Sequence, residues 1–175
     1  MTTEKTIYFA NDYFGEPLKE VVKAHVEKME EKGPKVKIVD LGSDKYFDAA
    51  AKVGRALGKS TNKDDMGVLV CGTGMGVGIV ANKFTGVRAA TCENLLAVRC
   101  ARACSDANVL CLGQVVTKPE DAKVMAEEFL FNQDFDSPPV NEDGEILPWW
   151  NDDVAEFLKD SKEGISRVEM EAKES

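Results

Sequence analysis

Gly67-Val68-Leu69-Val70-Cys71-Gly72-Thr73-Gly74-Met75-Gly76-Val77-Gly78-Ile79-Val80-Ala81-Asn82-Lys83 decides how the chain folds and where its chemistry sits. An apolar run ends in a cysteine, glycines at every second position follow, and a short segment able to start a helix comes next. The pattern reads as a buried strand, a turn whose backbone can approach a ligand closely, and a helix N-terminus. Backbone N–H groups in such a turn point at whatever binds there, and the helix dipole favours negative charge. The Cys71 thiol sits in the same field, a setting that favours the thiolate as base or nucleophile. Together these features point to chemistry on a small anionic or enolate-forming substrate.

On either side of this stretch, strands alternate with helices. Thr6–Ala10, Val36–Val39, Met66–Cys71, Val87–Ala90 and Val109–Leu112 are short apolar runs that read as strands. Leu18, Val21, Val22, Val26 and Met29 recur at helical spacing, with a stop at Lys32-Gly33-Pro34. Tyr46–Leu57, Leu95–Cys104 and Ala122–Phe131, the last introduced by Pro119, are the other helices. Continuous apolar strands alternating with helices predict a five-stranded parallel sheet in a three-layer α/β/α, Rossmann-like fold. The site then belongs at the carboxyl ends of the strands, which carry Asn11, Asp12, Cys71 to Gly76, Cys92 to Asn94 and Gln114.

Composition narrows the function. The chain has 175 residues, enough for one well-cored domain, with 43% apolar and 30% charged residues. A net charge of −9 argues against nucleic acid and anionic membrane as partners. No apolar run approaches the roughly 18 residues of a membrane span. Met1-Thr2-Thr3-Glu4-Lys5 has no signal-peptide core, so a cytoplasmic location is expected. The five cysteines, Cys71, Cys92, Cys100, Cys104 and Cys111, are odd in number and lack C-x-x-C spacing, which reads as free thiols. With His25 as the sole histidine and no ligand cluster in the sequence, no zinc site is expected. Residues 1–131 read as the α/β domain and 132–175 as an acidic C-terminal extension. The extension carries a short docking helix at Asp153–Lys159 and places Trp149 and Trp150 against the domain or a neighbouring subunit. Its last dozen residues, rich in Lys, Glu and Ser, read as solvated and without fixed structure.

Three other readings of the glycine stretch are weighed. Gly76-Val77-Gly78-Ile79-Val80-Ala81, with Glu93 further on, fits a dinucleotide fingerprint. Its first glycine, however, lies five residues past the strand end, and the motif follows the third strand rather than the first. A nucleotide P-loop fails because no Gly-Lys-Ser/Thr closes the loop. Close helix–sheet packing accounts for one or two of the glycines but not for four beside a strand-end Cys and Thr.

Cys71-Gly72-Thr73-Gly74-Met75-Gly76 leading to Ala81-Asn82-Lys83, then Gly86-Val87-Arg88-Ala89-Ala90, then Asp106-Ala107-Asn108-Val109-Leu110, closely resembles the ribose-5-phosphate isomerase B / galactose-6-phosphate isomerase family. Asp12 and Gly15 before Leu18-Lys19 resemble its first loop, and the likeness runs from about Thr6 to Phe131. The tail with Pro148-Trp149-Trp150 is similar to the version of this domain in plant DNA-damage-tolerance proteins. The resemblance implies aldose–ketose isomerisation of a small sugar or sugar phosphate through a cis-enediolate, with no metal or organic cofactor. Cys71 is then the base, with Gly72, Thr73, Gly74, Met75 and Gly76 as the oxyanion cradle. Asp12 and Tyr46 fall where the family contacts the sugar, and a homodimer or a dimer of dimers with shared sites is implied. Several positions depart from the pattern. The family's ring-opening histidine falls at Cys104, its neighbouring asparagine at Ser105, its first-loop histidine at Tyr13 and its phosphate-binding arginine at Gln114. Its His/Arg-rich C-terminal helix has no counterpart in Phe135–Pro148. A non-catalytic sugar-binding or regulatory member is therefore the alternative reading, and epimerisation through the same enediolate is a third.

Overall fold

The computed structural model of the chain describes residues 4–30, 33 and 35–174, the last two of these by their backbone alone. The strands are β1 (Lys5–Asp12), β2 (Val36–Asp44), β3 (Met66–Cys71), β4 (Ala89–Thr91) and β5 (Val109–Gly113), all paired in parallel in the order β2-β1-β3-β5-β4. The helices between them are α1 (Glu16–Glu30), α2 (Tyr46–Lys59), α3 (Met75–Ala81) and α4 (Leu95–Ser105). After β5 come α5 (Pro119–Glu127), which runs into a π-helical turn (Glu128–Asn132), then α6 (Asp152–Lys159) and α7 (Ser161–Glu174). The expected stop of α1 at Lys32 and Pro34, and the first three residues of the N-terminus, lie outside the described residues.

Period-two alternation along the central strands divides the core between the sheet's two faces. Val68 and Val70 of β3 and Leu110 and Leu112 of β5 join Ile7, Phe9, Leu18, Val22, Val98, Met125 and Phe129 on the face covered by α1, α4 and α5. Leu69 and Cys71, with Val109 and Cys111, face Ala49, Ala50, Val53 and Val77 under α2 and α3. Both faces of β3 are buried along its whole length, which is why its sequence is a continuous apolar run. The chain leaves β1 toward β2 on one side, while β3 lies on the other. The β1/β3 seam is therefore the topological switch point, where Asn11 pairs with Val70.

Side-chain hydrogen bonds pin the rest of the frame. Asn82 uses both ends of its amide on the edge strand β4: Nδ2 donates to Ala89 O (2.8 Å) and Oδ1 accepts from Ala89 N (2.7 Å). Asn108 does similar work just beside it, at the entry to β4, accepting from Arg88 N and donating to Gly86 O, both at 2.8 Å. The segment after the π turn crosses α4, where Arg99 Nη1 donates to Val140 O and Asn141 O and Arg102 Nε donates to Gln133 O. Leu147 and Leu158 are its buried anchors. Trp149 and Trp150 pack against each other with centroids 5.8 Å apart, Trp149 remaining 45% exposed.

Two expectations are corrected. Through Glu174, the stretch read as lacking fixed structure is part of α7; its exposed face is solvated as expected, but helix formers and pairs such as Arg167–Glu171 (i,i+4, 3.1 Å) hold it helical. The second strand runs past Val39 to Asp44, because Ser43 and Asp44 pair with Asn11 and Asp12 beyond a register shift.

Candidate active site

Cys71 closes β3 with its side chain under α2 and α3. It is 5% exposed, more buried than a bare strand-end thiol. The chain then turns sharply: Gly74 adopts φ +80°, and a Cβ there would meet the Leu112 backbone at 3.0 Å, so only glycine fits without strain. That turn swings the Gly74 N–H back onto Cys71 Sγ at 3.1 Å. A backbone donor aimed at sulfur stabilises negative charge there. The Met75 N–H reaches Thr73 Oγ1 at 3.5 Å, and the first amide to close onto a loop carbonyl is Gly78 N, on Gly74 O at 3.2 Å. The Gly76 and Val77 amides in the first turn of α3 thus have no carbonyl within their own helix and remain for an anion or oxyanion.

The other cysteines differ. Burial drives the Cys92 thiol up to about 12 and pushes Cys111 higher still, marking both as inert core groups. Desolvation also raises Cys100 and Cys104, which keeps Cys104 a protonated thiol at neutral pH. All five are free.

Several predicted residues gather at this rim. Asn11 is fully buried beside the cradle. Its Nδ2 donates to Asp12 O (2.7 Å) and Ser43 Oγ (2.5 Å), while its Oδ1 has no partner. Asp12 Oδ1 accepts from Phe14 N (3.0 Å) and Gly15 N (2.8 Å), setting the turn into α1. Asp12, Tyr13 and Tyr46 line an open cavity of about 400 Å³ with Phe14, Lys45 and Phe47. The Tyr46 ring lies over Gly76, where a Cβ would come within 3.0 Å of it. Gln114 spends its Oε1 on Leu18 N (2.9 Å), the N-terminal turn of α1, leaving its amide NH₂ as the donor available to a substrate.

Cys104 and Ser105 are not brought there. They end α4, and the chain continues from them into the start of β5, at the amino edge of the sheet. The 11 residues of α4 span ~16 Å, so within one chain these two residues lie a sheet-length from Cys71. They line a separate cavity of about 770 Å³ between the Asn82–Arg88 loop and α7.

The sequence reading missed Thr91, whose Oγ1 donates to Gly74 O (3.2 Å) and sits 2.8 Å from where a Gly78 Cβ would project. It also missed the aromatic rim of Phe14 and Phe47. A threonine closing a three-residue strand carries no signal of its own. His25 bonds Glu127 (3.0 Å) across α1 and α5, outside the site, as its helical position implied. Among the described residues no cluster of metal-ligating side chains occurs, and no helix is long and apolar enough to cross a membrane.

Comparison with known proteins agrees with this geometry. The chain is 32% identical over 157 residues to the DNA damage-repair/toleration protein DRT102 of Arabidopsis thaliana, an alignment covering 90% of the chain and 48% of that protein. The chain thus spans about half of the plant protein's length. It is also 32% identical over 169 residues to a 4-deoxy-4-sulfo-D-erythrose isomerase of Clostridium sp., covering 93% of the chain and 94% of the relative. Among solved structures, ribose-5-phosphate isomerase B from Mycoplasma genitalium with bound ribulose-5-phosphate superposes with a TM-score of 0.75 at 28% identity, covering 95% and 97% of the two chains. The family model described as Ribose/Galactose Isomerase matches residues 7–141, most of the chain, and on that match the chain belongs to the ribose/galactose isomerase family.

Proposed function

We propose that the chain is a cofactor-independent aldose–ketose isomerase of a four-carbon sugar with an anionic terminus, phosphate or sulfonate. The reaction runs through a cis-enediolate with Cys71 as base. The observation that carries this is the Gly74 N–H on Cys71 Sγ inside a cradle of unspent amides. In the forward direction the Cys71 thiolate removes the proton on C2 of the aldose, and the C1 oxygen takes up the charge. The Thr73 hydroxyl and the Gly76 and Val77 amides hold that charge. The same thiol returns the proton to C1 while the O2 proton passes to the neighbouring C1 oxygen, so the C2 carbonyl forms beside a C1 hydroxyl. Asp12, Tyr13, Tyr46 and Asn11 grip the hydroxyls, and Met75 forms one wall.

The substrate class follows from what stands at Cys104 and Gln114. A four-carbon sugar whose terminal oxygen is phosphorylated, or replaced by sulfonate, cannot close a five-membered ring, so no ring-opening histidine is needed. The Clostridium relative, matched along nearly its whole length, is named for such a sugar. Cys104 and Ser105 serve the site as a partner subunit's contribution: the protonated Cys104 thiol lies near the substrate oxygens, and Ser105 donates beside it. Tyr13, Phe14, Met75 and Ile79, exposed around the cradle, supply apolar surface for that partner. The setting is the cytoplasm, where the thiols stay reduced.

Solvent deuterium incorporation tests the reading. Erythrose 4-phosphate and 4-deoxy-4-sulfoerythrose should exchange and isomerise at least ~10-fold faster than ribose 5-phosphate, the scale of one lost acid–base or charge-assisted contact. Equal rates would overturn the substrate class, and exchange in none of them would overturn the activity.

A further inference from the structure

A second cleft of about 640 Å³ opens on the other side of α7, between that helix and the loop joining α2 to β3. It lies at the amino edge of the sheet, away from the Cys71 cradle. Five cations line it, Lys63, Arg88, Lys159, Lys162 and Arg167, against two acids, Asp65 and Glu163. In a chain of net charge −9 this is a local reversal of sign.

The acids nearby do not neutralise it. Asp65 is committed to the frame, accepting from Thr6 N (2.8 Å) and Ser60 Oγ (2.6 Å). Asp106, 6% exposed, is a single carboxylate shared among three cations: Arg88 at 2.9 Å, Lys162 at 3.0 Å and Arg102 at 3.4 Å. Arg167 and Lys159 pair with Glu171 and Glu156 in exposed i,i+4 and i,i+3 pairs that water screens, and Asp136 adds a weaker attraction on Lys159. Lys63 has no ion pair among the described residues. The lining itself therefore carries five cations against the two carboxylates of Asp65 and Glu163, the remaining acids lying behind it or on the outer surface. The cations come from two bodies, the core (Lys63, Arg88) and the tail helices (Lys159, Lys162, Arg167), so an anion between them replaces repulsion with attraction.

We propose that this cleft is a second anion site that takes a phosphate group, free or as the end of a phosphate monoester, and fastens α7 onto the core. Lys63 and Arg88 hold the group from the core side, and Lys159 and Arg167 close on it from the tail. Because the opposite face of α7 forms a wall of the cavity holding Cys104 and Ser105, occupancy also sets how firmly that cavity is covered. Its lining holds neither Cys71 nor the glycine cradle, so binding here is read separately from the chemistry at the other end of the sheet.

Hydrogen–deuterium exchange on the full-length chain tests it, at constant ionic strength, with chloride, inorganic phosphate and glycerol 3-phosphate as the three conditions. Exchange of α7 and of residues 60–65 should slow several-fold with phosphate relative to chloride. Lys63→Gln and Lys159→Gln should each abolish that slowing. A response to glycerol 3-phosphate larger than to the free ion identifies a monoester as the ligand, and the reverse identifies inorganic phosphate. Slowing confined to residues 72–78, no change in α7, or variants that respond as the parent does would overturn the proposal. Cys71→Ala should leave the α7 response intact, so a failure of the isomerase assignment stays distinct from a failure here.

Discussion

At the scale of single residues, Cys71 has two roles that the sequence shows only in part. Its place at the end of β3, before a run of glycines, is plain from the residues. Its burial is not, because the thiol's environment is completed by α2 and α3 from elsewhere in the chain. Cys71→Ala should lower kcat by at least ~100-fold, the scale of a lost general base. It should also cost about 1 kcal/mol of stability, as the truncation of a small buried group. Turnover within tenfold of the parent, with an unchanged melting temperature, would contradict both statements. Gly74→Ala makes a different demand: the positive φ adds ~1–2 kcal/mol of strain, and the new Cβ presses on the Leu112 backbone. The Gly74 N–H is then displaced from sulfur, so kcat should fall more than KM rises, readable from steady-state kinetics beside a calorimetric scan.

At the scale of elements, legibility depended on what kind of residue built them. β3 is the same in sequence and structure, Met66–Cys71, because a strand buried on both faces must be apolar throughout. β2 was legible only to Val39; its last residues, Asp40 to Asp44, are mostly polar, and the strand character of Ser43 and Asp44 comes from pairing with Asn11 and Asp12. β4 begins at Ala89 rather than Val87, since Arg88 is drawn off by Asn108 and Asp106. Asp40 also ties β2 to α1. Burial works to raise its pKa, but hydrogen bonds from Lys19 and Lys23 and from the Gly42 N–H prevail and bring it from the usual 3.8 to about 2. A carboxyl lowered on folding stabilises the fold above its unfolded value, and that contribution is lost as pH falls through the folded one. Part of the acid destabilisation between pH 3.8 and about 2 therefore belongs to this cluster. Asp40→Asn should flatten the slope of melting temperature against pH in that window, and an unchanged slope would remove Asp40 from the account.

At the scale of the whole molecule, the sequence could place Cys104 and Ser105 beside Cys71 only by likeness to a family. Three-dimensional placement puts them at opposite edges of one sheet, which a linear reading cannot show. If two chains complete each other's sites, light scattering should report a dimer at micromolar concentration. Cys71→Ala and Cys104→Ala homodimers should each be impaired. Mixed and allowed to exchange, they should recover about a quarter of the parent's activity, since half the dimers are then hybrid and each hybrid holds one intact site. Recovery no greater than the average of the two homodimers would show that each chain works alone.

The grip of Asn82 on Ala89 carries a consequence for how copies meet. β4 ends the sheet, and an exposed edge offers its unpaired N–H and C=O to any passing strand. The Asn82 amide, by binding both outward groups of Ala89, acts as a stub of neighbouring strand and closes that template. At Ala89 a strand from a second molecule therefore finds no free backbone group with which to extend the sheet. A single carboxamide thus guards against fibre-like stacking.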